Sequence, residues 1–351
     1  MRMAGVKAIE ERFFKFVKTQ RMFSVMANRD VPSNKKTGTP LRVGVGVSGG
    51  PDSVCLAMLL KRYQKQMNIE PIIIHVNHHL RGEESDRDED FVRKLSEDLL
   101  DFKFVKYDLE FKKSELKGNS LEAIAREKRY RIFENCIEEF ELDKIALAHT
   151  MNDNAETMLI NMLRGTGVAG ISGIPPVRDY IVRPMLILSR ENVLTYLKLK
   201  HVAYMTDSTN ELPDYLRNQI RLYIIPELMK LNPGFLNHMF FLSNDIREIG
   251  TFLVRMSKRL YKELVHTETS NLIRLDIKRL LEQDDVMIKS VVQIAIKTIL
   301  GMYYNPRREH IDYVMNMLKK TSDNSRRLEM LPKGLKIYKN KEFLIFERSV
   351  D

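Results

Sequence analysis

Cysteine is scarce in this sequence, and long apolar runs are missing. The 351 residues include two cysteines, Cys55 and Cys136, and no C-x-x-C pair. This scarcity argues against a structural zinc site and a disulfide-stapled scaffold, and it favours the reducing cytosol. No apolar run approaches the length of a membrane span, and the charged first residues lack the apolar core of a signal peptide. We therefore expect a cytoplasmic protein without a membrane partner.

Internal repeats and low-complexity tracts are also absent. Hydrophobic residues make up 44% of the sequence and charged residues 30%, which suits a sizeable core under a polar surface. A length of 351 residues is enough for two domains. The formal net charge of +10 favours a polyanionic partner, most simply nucleic acid.

The most informative stretch is residues 42–53, R-V-G-V-G-V-S-G-G-P-D-S. Valines alternate with glycines at its start, a polar glycine-rich turn follows, and an apolar run with helical spacing comes next. This order predicts a strand, a tight loop and the start of a helix. An ordinary strand–turn–helix corner with a capping Ser and Asp is the simpler alternative.

The turn has the features of a phosphate-binding loop. Gly49 and Gly50 lack a Cβ atom, so their backbone N–H groups can approach an anion closely. Pro51 suits the first turn of a helix, whose N-terminus favours negative charge. Ser48 and Ser53 add hydroxyl donors.

The residues around the glycines decide which kind of phosphate-binding loop this is. No lysine follows them, so this is not a Walker loop. Gly44, Gly46 and Gly49 satisfy G-x-G-x-x-G, but the first two belong to the strand, which makes a dinucleotide fingerprint accidental. Asp52 would repel a phosphate unless a cation intervened, so it suggests Mg²⁺.

The stretch resembles the S-G-G-x-D-S signature of the PP-loop, or N-type, ATP pyrophosphatases. In that family the loop binds the β,γ-pyrophosphate of ATP, and the enzymes adenylate a carbonyl or carboxylate. The resemblance implies an ATP site formed by Ser48, Gly49, Gly50, Pro51, Asp52 and Ser53.

Other polar groups follow predicted parallel strands. Residues 71–76 form a short apolar run that completes a βαβ unit, and polar groups at the carboxyl end of such a strand face the ligand crevice. We expect His75 to contact adenosine and Arg81 to contact phosphate. The three histidines of H-V-N-H-H are a poor metal set, because an extended segment cannot easily aim all three rings at one ion.

The strand predicted at 144–148 runs into A-H-T-M-N-D-N-A-E-T. Asp153 and Glu156 fit an acidic capping box, D-x-x-E, in which Asp153 caps a helix. An acid opposite the phosphate loop also suits Mg²⁺ or an amine. Further along, the glycine-rich residues 164–176 predict a mobile, non-helical lid, and helices are predicted over 189–200 and from 216 to 226.

Seven further motifs narrow the resemblance to the tRNA(Ile)-lysidine synthetases. Across about residues 42–225 they are H-V-N-H-H-L-R, A-R-E-K-R-Y, A-H-T-M-N-D-N-A-E-T, R-G-T-G-V-A-G, R-P-M-L, D-S-T-N and Y-L-R-N-Q-I-R. In that family lysine is joined to C2 of the wobble cytidine of an isoleucine tRNA, through an adenylated cytidine, while ATP is split to AMP and pyrophosphate. The family is often dimeric, which leaves a homodimer open.

The resemblance also implies roles for single residues. Asp52 and Asp153 would hold Mg²⁺ and take part in catalysis together with Arg126. Contacts to the substrate or tRNA would come from Arg81, Glu156, Arg164, Arg183, Arg217, Asn218 and Arg221. The chain departs from the usual A-H-H-x-D-D-x-x-E-T pattern at Thr150 and Asn152, which puts a two-carboxylate metal site in doubt.

Residues 226–351 have a different character. Helical patterns occur around 236–266, 277–300 and 308–320, and the end of the chain predicts a β-hairpin with Asn340 near its turn. This part holds 22 basic and 16 acidic residues, a net +6 of the chain's +10. Such an excess suits phosphate contacts with tRNA.

These patterns predict an α/β fold with a parallel-sheet PP-loop ATPase domain, of the adenine nucleotide alpha-hydrolase-like type, at 41–225. A helix and linker would precede it at 1–40, and a basic, mainly helical tRNA-binding domain with a C-terminal β-hairpin would follow at 226–351. The alternatives are a PP-loop tRNA thiolase, which would normally need paired cysteines, a small-molecule adenylating synthetase, and a non-catalytic RNA-binding module.

Overall fold

A computed structural model describes most of the chain. The described residues are 2–24, 38–77, 83–109, 121–206, 216–301, 304, 306–319 and 334–348. The chain divides into two compact units, Met1–Asn244 and Asp245–Asp351. The three-part division by function made from the sequence stays a prediction.

The described part of the first unit contains a six-stranded sheet. Its strands are β1 (Leu41–Gly46), β2 (Ile69–Asn77), β3 (Lys103–Asp108), β4 (Lys144–Ala146), β5 (Val177–Arg178) and β6 (Ile181–Val182). The strand order is β3-β2-β1-β4-β6-β5, with parallel pairs except for β5 against β6. The chain first adds strands on one side of β1 and then crosses to the other side with β4. Ligands bind at such a switch point, beside the carboxyl ends of the two strands.

The sheet is buried on both faces. In β2, Ile73 lies in one apolar cluster with Val43 and Val45 of β1. Its neighbours Ile72 and Ile74 lie in a second cluster on the other face. A strand covered on both sides has no solvated face, which explains why β2 is a continuous apolar run rather than an alternating one.

Helices cover these faces. They are α1 (Arg2–Thr19), α2 (Pro51–Met67), α3 (Glu83–Lys94), α4 (Leu121–Glu139), α5 (Met151–Leu163), α6 (Val168–Ile171), α7 (Arg190–Lys200), α8 (Leu216–Gln219) and α9 (Ile225–Leu231). Short π turns follow α3 at Leu95–Leu100 and join α8 to α9 at Ile220–Ile224, and a 3₁₀ turn lies at Pro184–Ile187.

Two local predictions for this unit were wrong. The loop at 164–176 is not wholly non-helical, because α6 forms one turn within it, and Ile171 at its end packs against the main core. The helix predicted to reach Pro226 continues to Leu231. Pro226 follows the π turn and falls in the first turn of α9, where its missing N–H costs little.

The second unit combines helices with a four-stranded antiparallel sheet of order β7-β8-β10-β9 among its described residues. The division between the units falls within α10 (Phe235–Leu264). The remaining elements are β7 (Val265–Glu268), β8 (Leu272–Asp276), α11 (Ile277–Leu281), α12 (Asp285–Leu300), α13 (Arg308–Lys319), β9 (Leu335–Lys339) and β10 (Phe343–Arg348).

The predicted fold class is confirmed, including the hairpin of β9 and β10. Asn340 lies in its turn, where Oδ1 accepts hydrogen bonds from the N–H groups of Glu342 at 2.9 Å and Phe343 at 2.6 Å. The sequence analysis missed β7 and β8, which lie mostly in the interval between the helical patterns predicted around 236–266 and 277–300. No described helix has both the length and the apolarity that crossing a membrane requires.

Gly44→Ala is expected to destabilise the protein through its central strand. An added Cβ would lie under 3.0 Å from three buried side chains, at 2.7 Å from Ile74, 2.8 Å from Leu142 and 2.9 Å from Ile145. Overpacking of this kind costs about 1–3 kcal/mol. Urea unfolding followed by circular dichroism measures the change.

Gly250→Ala, inside α10, is the matched control. Nothing lies within 4 Å of a Cβ at this position, so alanine should stabilise the helix, by up to about 1 kcal/mol. An unchanged unfolding midpoint for Gly44→Ala would contradict the packing described for β1.

Candidate active site

The glycine-rich turn lies where β1 ends and α2 begins. Gly49 has a φ of +91°, which favours glycine, and a Cβ there would also press on Val92 at 3.4 Å. The Ser53 hydroxyl donates to the Gly50 carbonyl at 2.9 Å and accepts from the Ser48 N–H at 3.2 Å. The turn is therefore closed by its own hydrogen bonds at the N-terminus of a 17-residue helix, a suitable place for an anion.

Neighbouring segments hold this turn through its backbone. The Met205 N–H donates to the Gly49 carbonyl at 2.9 Å, and the Val47 N–H donates to the Ile74 carbonyl at 3.0 Å. His75 is buried, and its Nδ1 lies 2.8 Å from the Val47 carbonyl. Because a carbonyl accepts, Nδ1 carries the proton, and burial lowers the pKa of the ring. His75 thus supports the loop, and its contact with adenosine stays a prediction.

Asp52, in the first turn of α2, forms an ion pair with Arg190, the first residue of α7. Burial raises the pKa of Asp52 from 3.8 to about 6, because it outweighs the opposing Arg190 charge, and Asp153 pushes in the same direction as burial. Oδ1 of Asp52 is buried and has no hydrogen-bond partner among the described residues. A buried acceptor without a donor is a place where a cation fits.

Asp153 completes a capping box at the start of α5. Its Oδ2 accepts from the Thr150 N–H at 2.7 Å and from the Thr150 hydroxyl at 2.9 Å. The sequence analysis placed the capping box at Asp153 and Glu156. The structure places it three residues earlier, with Thr150 as the N-cap and Asp153 as the third residue of the helix. Oδ1 of Asp153 lies 3.5 Å from Arg221 Nη2. Burial would raise the pKa of Asp153, but His149, the Thr150 N–H and nearby arginines lower it below its ordinary value.

Thr150 and Asn152, the two residues that depart from the family motif, both form hydrogen bonds. Thr150 supplies the donors to Asp153, and Asn152 Oδ1 accepts from the backbone N–H of Arg190 at 2.9 Å. Neither side chain adds a negative charge. The described residues contain no group of three or more His, Cys, Asp or Glu side chains that could hold a metal. A Mg²⁺ ion would therefore rest on Asp52 and Asp153, with the remaining oxygens coming from ATP phosphates and water.

Glu156, which the sequence analysis assigned to substrate, is occupied within the protein. The carboxylate is fully buried, accepting from Arg217 Nε at 2.8 Å and from Arg221 Nε and Nη2 at 2.7 and 3.0 Å. Arg217 also donates to the Thr157 hydroxyl at 3.4 Å. Asn218 follows Arg217 on α8. Two guanidinium groups matched to one carboxylate make a buried ion-pair network that ties α8 and its π turn to α5.

A second group of arginines surrounds Tyr130 on α4. The phenol oxygen lies 3.2 Å from Arg126 Nη2 and 3.5 Å from Arg183 Nη2, and Arg178 stacks on the ring at 5.5 Å. Arg183 is buried, donates to the Pro175 carbonyl at 2.8 Å, and has an Nε without a partner among the described groups. Burial would raise the pKa of Tyr130, but the arginine charges lower it. This positive cluster suits an anionic group.

The remaining predicted residues are Arg164 and Arg81. Arg164 is exposed at the C-terminal end of α5. Arg81 lies outside the described residues, as does the D-S-T-N motif.

Comparison with known proteins places the chain in a family. A family model described as "PP-loop domain" matches residues 20–228. The chain belongs to the PP-loop family. The predicted resemblance to the PP-loop ATP pyrophosphatases is thereby confirmed.

Curated relatives narrow the similarity within the PP-loop family. The tRNA(Ile)-lysidine synthase of Clostridium acetobutylicum is 34% identical over 302 residues, 85% of this chain and 64% of that protein. The enzyme of the same name from Clostridioides difficile is 32% identical over 308 residues, 87% of this chain and 66% of that protein. The chain thus spans just under two thirds of the length of these relatives.

A solved structure shows the same fold. The U34-tRNA thiolase NcsA from Methanococcus maripaludis, solved with its [4Fe-4S] cluster, aligns with a TM-score of 0.51 over 68% of this chain and 80% of that chain. The two sequences are 22% identical, so the likeness concerns the PP-loop fold alone.

The sequence analysis gave no role to three residues that the structure places in these contacts: His149, Tyr130 and Arg190. His149 ends the segment after β4, and burial lowers its pKa to about 3, with Arg183 acting in the same direction and Asp153 against it. Its Nδ1 is buried without a partner in the described part of the chain. His149 and Tyr130 belong to quoted motifs and could have been found there. Arg190 belongs to none of the quoted motifs, and no local sequence pattern pointed to it.

Asp52→Asn is expected to stabilise the metal-free protein at neutral pH. Because the folded state raises the pKa of Asp52 to about 6, the contribution of this group to stability is present below pH 4 and is lost as the pH rises through 6. The advantage of the variant should therefore grow by about 1–3 kcal/mol between pH 4 and pH 7 and then level off.

Urea unfolding in EDTA at several pH values measures this difference. Asp98→Asn, at an exposed position in the π turn after α3, is the control and should show no such trend. A pH-independent difference for Asp52→Asn would mean that burial does not disfavour the charged carboxylate.

Proposed function

We propose that this protein is a ligase that joins lysine to C2 of the wobble cytidine in the CAU anticodon of an isoleucine tRNA. The product is lysidine, and ATP is converted to AMP and pyrophosphate. The observation that carries the proposal is the name shared by the relatives, which are 34% and 32% identical over 85% and 87% of this chain. The PP-loop at the β1–β4 switch point supports it, because that loop suits pyrophosphate.

The first step activates the base. C2 of cytidine is a poor electrophile at neutral pH, so the C2 oxygen attacks the α-phosphorus of ATP and pyrophosphate leaves. Ser48, Gly49, Gly50 and Ser53 hold the pyrophosphate at the N-terminus of α2. Mg²⁺, when bound by Asp52 and Asp153, neutralises phosphate charge.

The second step forms the new bond. The free amine of lysine attacks C2 and gives up one proton to solvent, and AMP leaves with the C2–oxygen electron pair. Asp153, whose pKa lies below its ordinary value, is ionised and is the candidate partner for the lysine amine when it does not hold Mg²⁺. Arg126, held against Tyr130, steadies the negative charge that develops on the departing phosphate. Holding ATP, base and lysine together supplies much of the rate enhancement.

The basic residues 226–351 are proposed to hold the tRNA. Arg307 and Arg308 are exposed in the structure, whereas Lys320, Arg326 and Arg327 lie outside the described residues. Contacts of these groups with phosphates give affinity and position rather than base selection. A cytoplasmic location follows from the tRNA substrate, and the homodimer implied by the resemblance is part of the same proposal.

The thiolase alternative has weaker support. Cys55 and Cys136 are both buried, and burial raises the pKa of both thiols. Sulfur transfer through a cysteine needs an accessible thiolate, and neither cysteine provides one. A small-molecule synthetase would share the PP-loop chemistry but would act without RNA.

Mass spectrometry of tRNA distinguishes these functions. Incubation with ATP and lysine should add a mass equal to lysine minus water and should release AMP. A gain of sulfur, an unchanged tRNA or release of ADP would refute the proposal.

Asp52→Ala and Asp153→Asn should each lower the rate of lysidine formation by about 100-fold or more, since each removes a carboxylate proposed to hold the Mg²⁺ that neutralises phosphate charge. Single-turnover assays measure the rate, with exposed Asp98→Asn as the control. Wild-type rates in both variants would remove these carboxylates from the mechanism.

A further inference from the structure

Arg190 occupies a place at the phosphate loop that no motif accounts for. Arg190 is the first residue of α7, whose N-terminus lies beside the N-termini of α2 and α5. Its Nη1 contacts Oδ2 of Asp52 although the two residues are 138 positions apart. Its side chain is 45% exposed, so it lies at the surface of the crevice rather than in the core.

The backbone of Arg190 is firmly placed. Ser189 caps α7, with the Asn192 N–H donating to the Ser189 hydroxyl at 3.2 Å. The Arg190 N–H donates to Asn152 Oδ1 at 2.9 Å, and the Met151 N–H donates to the Leu188 carbonyl at 2.9 Å. These contacts join the starts of α5 and α7, so they fix where the Arg190 side chain begins.

The guanidinium group has spare donors. Within the described part of the chain, its one hydrogen-bond partner is Asp52, whereas guanidinium offers five N–H groups in a planar fork. The geometry of this fork matches phosphate oxygens. The fork contacts Asp52, which directly follows Gly49, Gly50 and Pro51 of the phosphate loop. A cation bound to Asp52 would compete with Arg190 for the same carboxylate and release the fork toward the loop.

We propose that Arg190 binds the β,γ-pyrophosphate of ATP and the pyrophosphate product, leaving Asp52 when Mg²⁺ occupies that carboxylate. This inference rests on the proposed function. In the adenylation step the bond between the α-phosphorus and its bridging oxygen breaks, and the electron pair leaves on pyrophosphate. Arg190 binds the negative charge that develops on pyrophosphate, and it pairs with Asp52 when no cation is bound to that carboxylate.

The test is a direct binding measurement that needs no turnover. Isothermal titration of the intact protein with inorganic pyrophosphate in Mg²⁺, and separately with AMP, compares wild type with Arg190→Ala. Pyrophosphate should bind about 10- to 100-fold more weakly to the variant, since charge-assisted hydrogen bonds are lost, and AMP affinity should stay unchanged. Arg190→Lys, which keeps the charge without the fork, should fall between the two.

Lys198→Ala is the matched control, because it removes an exposed positive charge from the last turn of the same helix. Its pyrophosphate affinity should equal that of wild type. Unchanged pyrophosphate affinity in Arg190→Ala would overturn the inference. So would equal losses for pyrophosphate and AMP, which would indicate a general disturbance of the site.

The outcomes also separate this inference from the proposed function. If wild-type protein forms lysidine and Arg190→Ala retains full pyrophosphate affinity, the inference alone fails. If wild-type protein forms no lysidine, the proposed function fails, whatever Arg190 binds.

Discussion

The cost of holding two partly buried carboxylates, Asp52 and Asp153, near each other is the constraint around which the site is arranged. Parallel pairing of β1 with β4 brings Asp52 and Asp153 close enough for the charge of one to raise the pKa of the other. The protein supplies a cation to each, Arg190 to Asp52 and Arg221 to Asp153. The compensation is incomplete at Asp52, whose second oxygen has no partner among the described residues. Such a pair is costly without a bound cation, and it suits a divalent cation bound to polyphosphate.

The local parts of this arrangement could be predicted from the sequence. A valine-rich run followed by glycines predicts a strand and a turn, because side-chain periodicity and the lack of a Cβ act over a few residues. The same holds for the hairpin at the end of the chain. The parallel pairing of the sheet followed from the βαβ pattern and from the resemblance, whereas the order of its strands was not predicted.

Contacts between distant residues could not be predicted in this way. Glu156 is matched by Arg217 and Arg221, which are 61 and 65 positions away, and no local pattern reports such a pairing. The D-x-x-E spacing suggested a cap for Glu156 instead. Burial decides between these roles, because a fully buried carboxylate must be paired, whereas a capping acid can remain at the surface. The pairing of Asp52 with Arg190 is hidden from local patterns for the same reason.

Shape and charge are supplied separately in this site. The loop is held by hydrogen bonds to its backbone, from Met205 to Gly49 and between Val47 and His75, and these groups carry no net charge when His75 is neutral. Asp52, Asp153 and Arg190 carry the charge, and ion pairs at a partly solvated surface exchange partners at little cost. Asn152, which stands where the resembled motif has an acid, fits the same separation. Its amide oxygen accepts from the Arg190 N–H without adding a third negative charge beside Asp52 and Asp153.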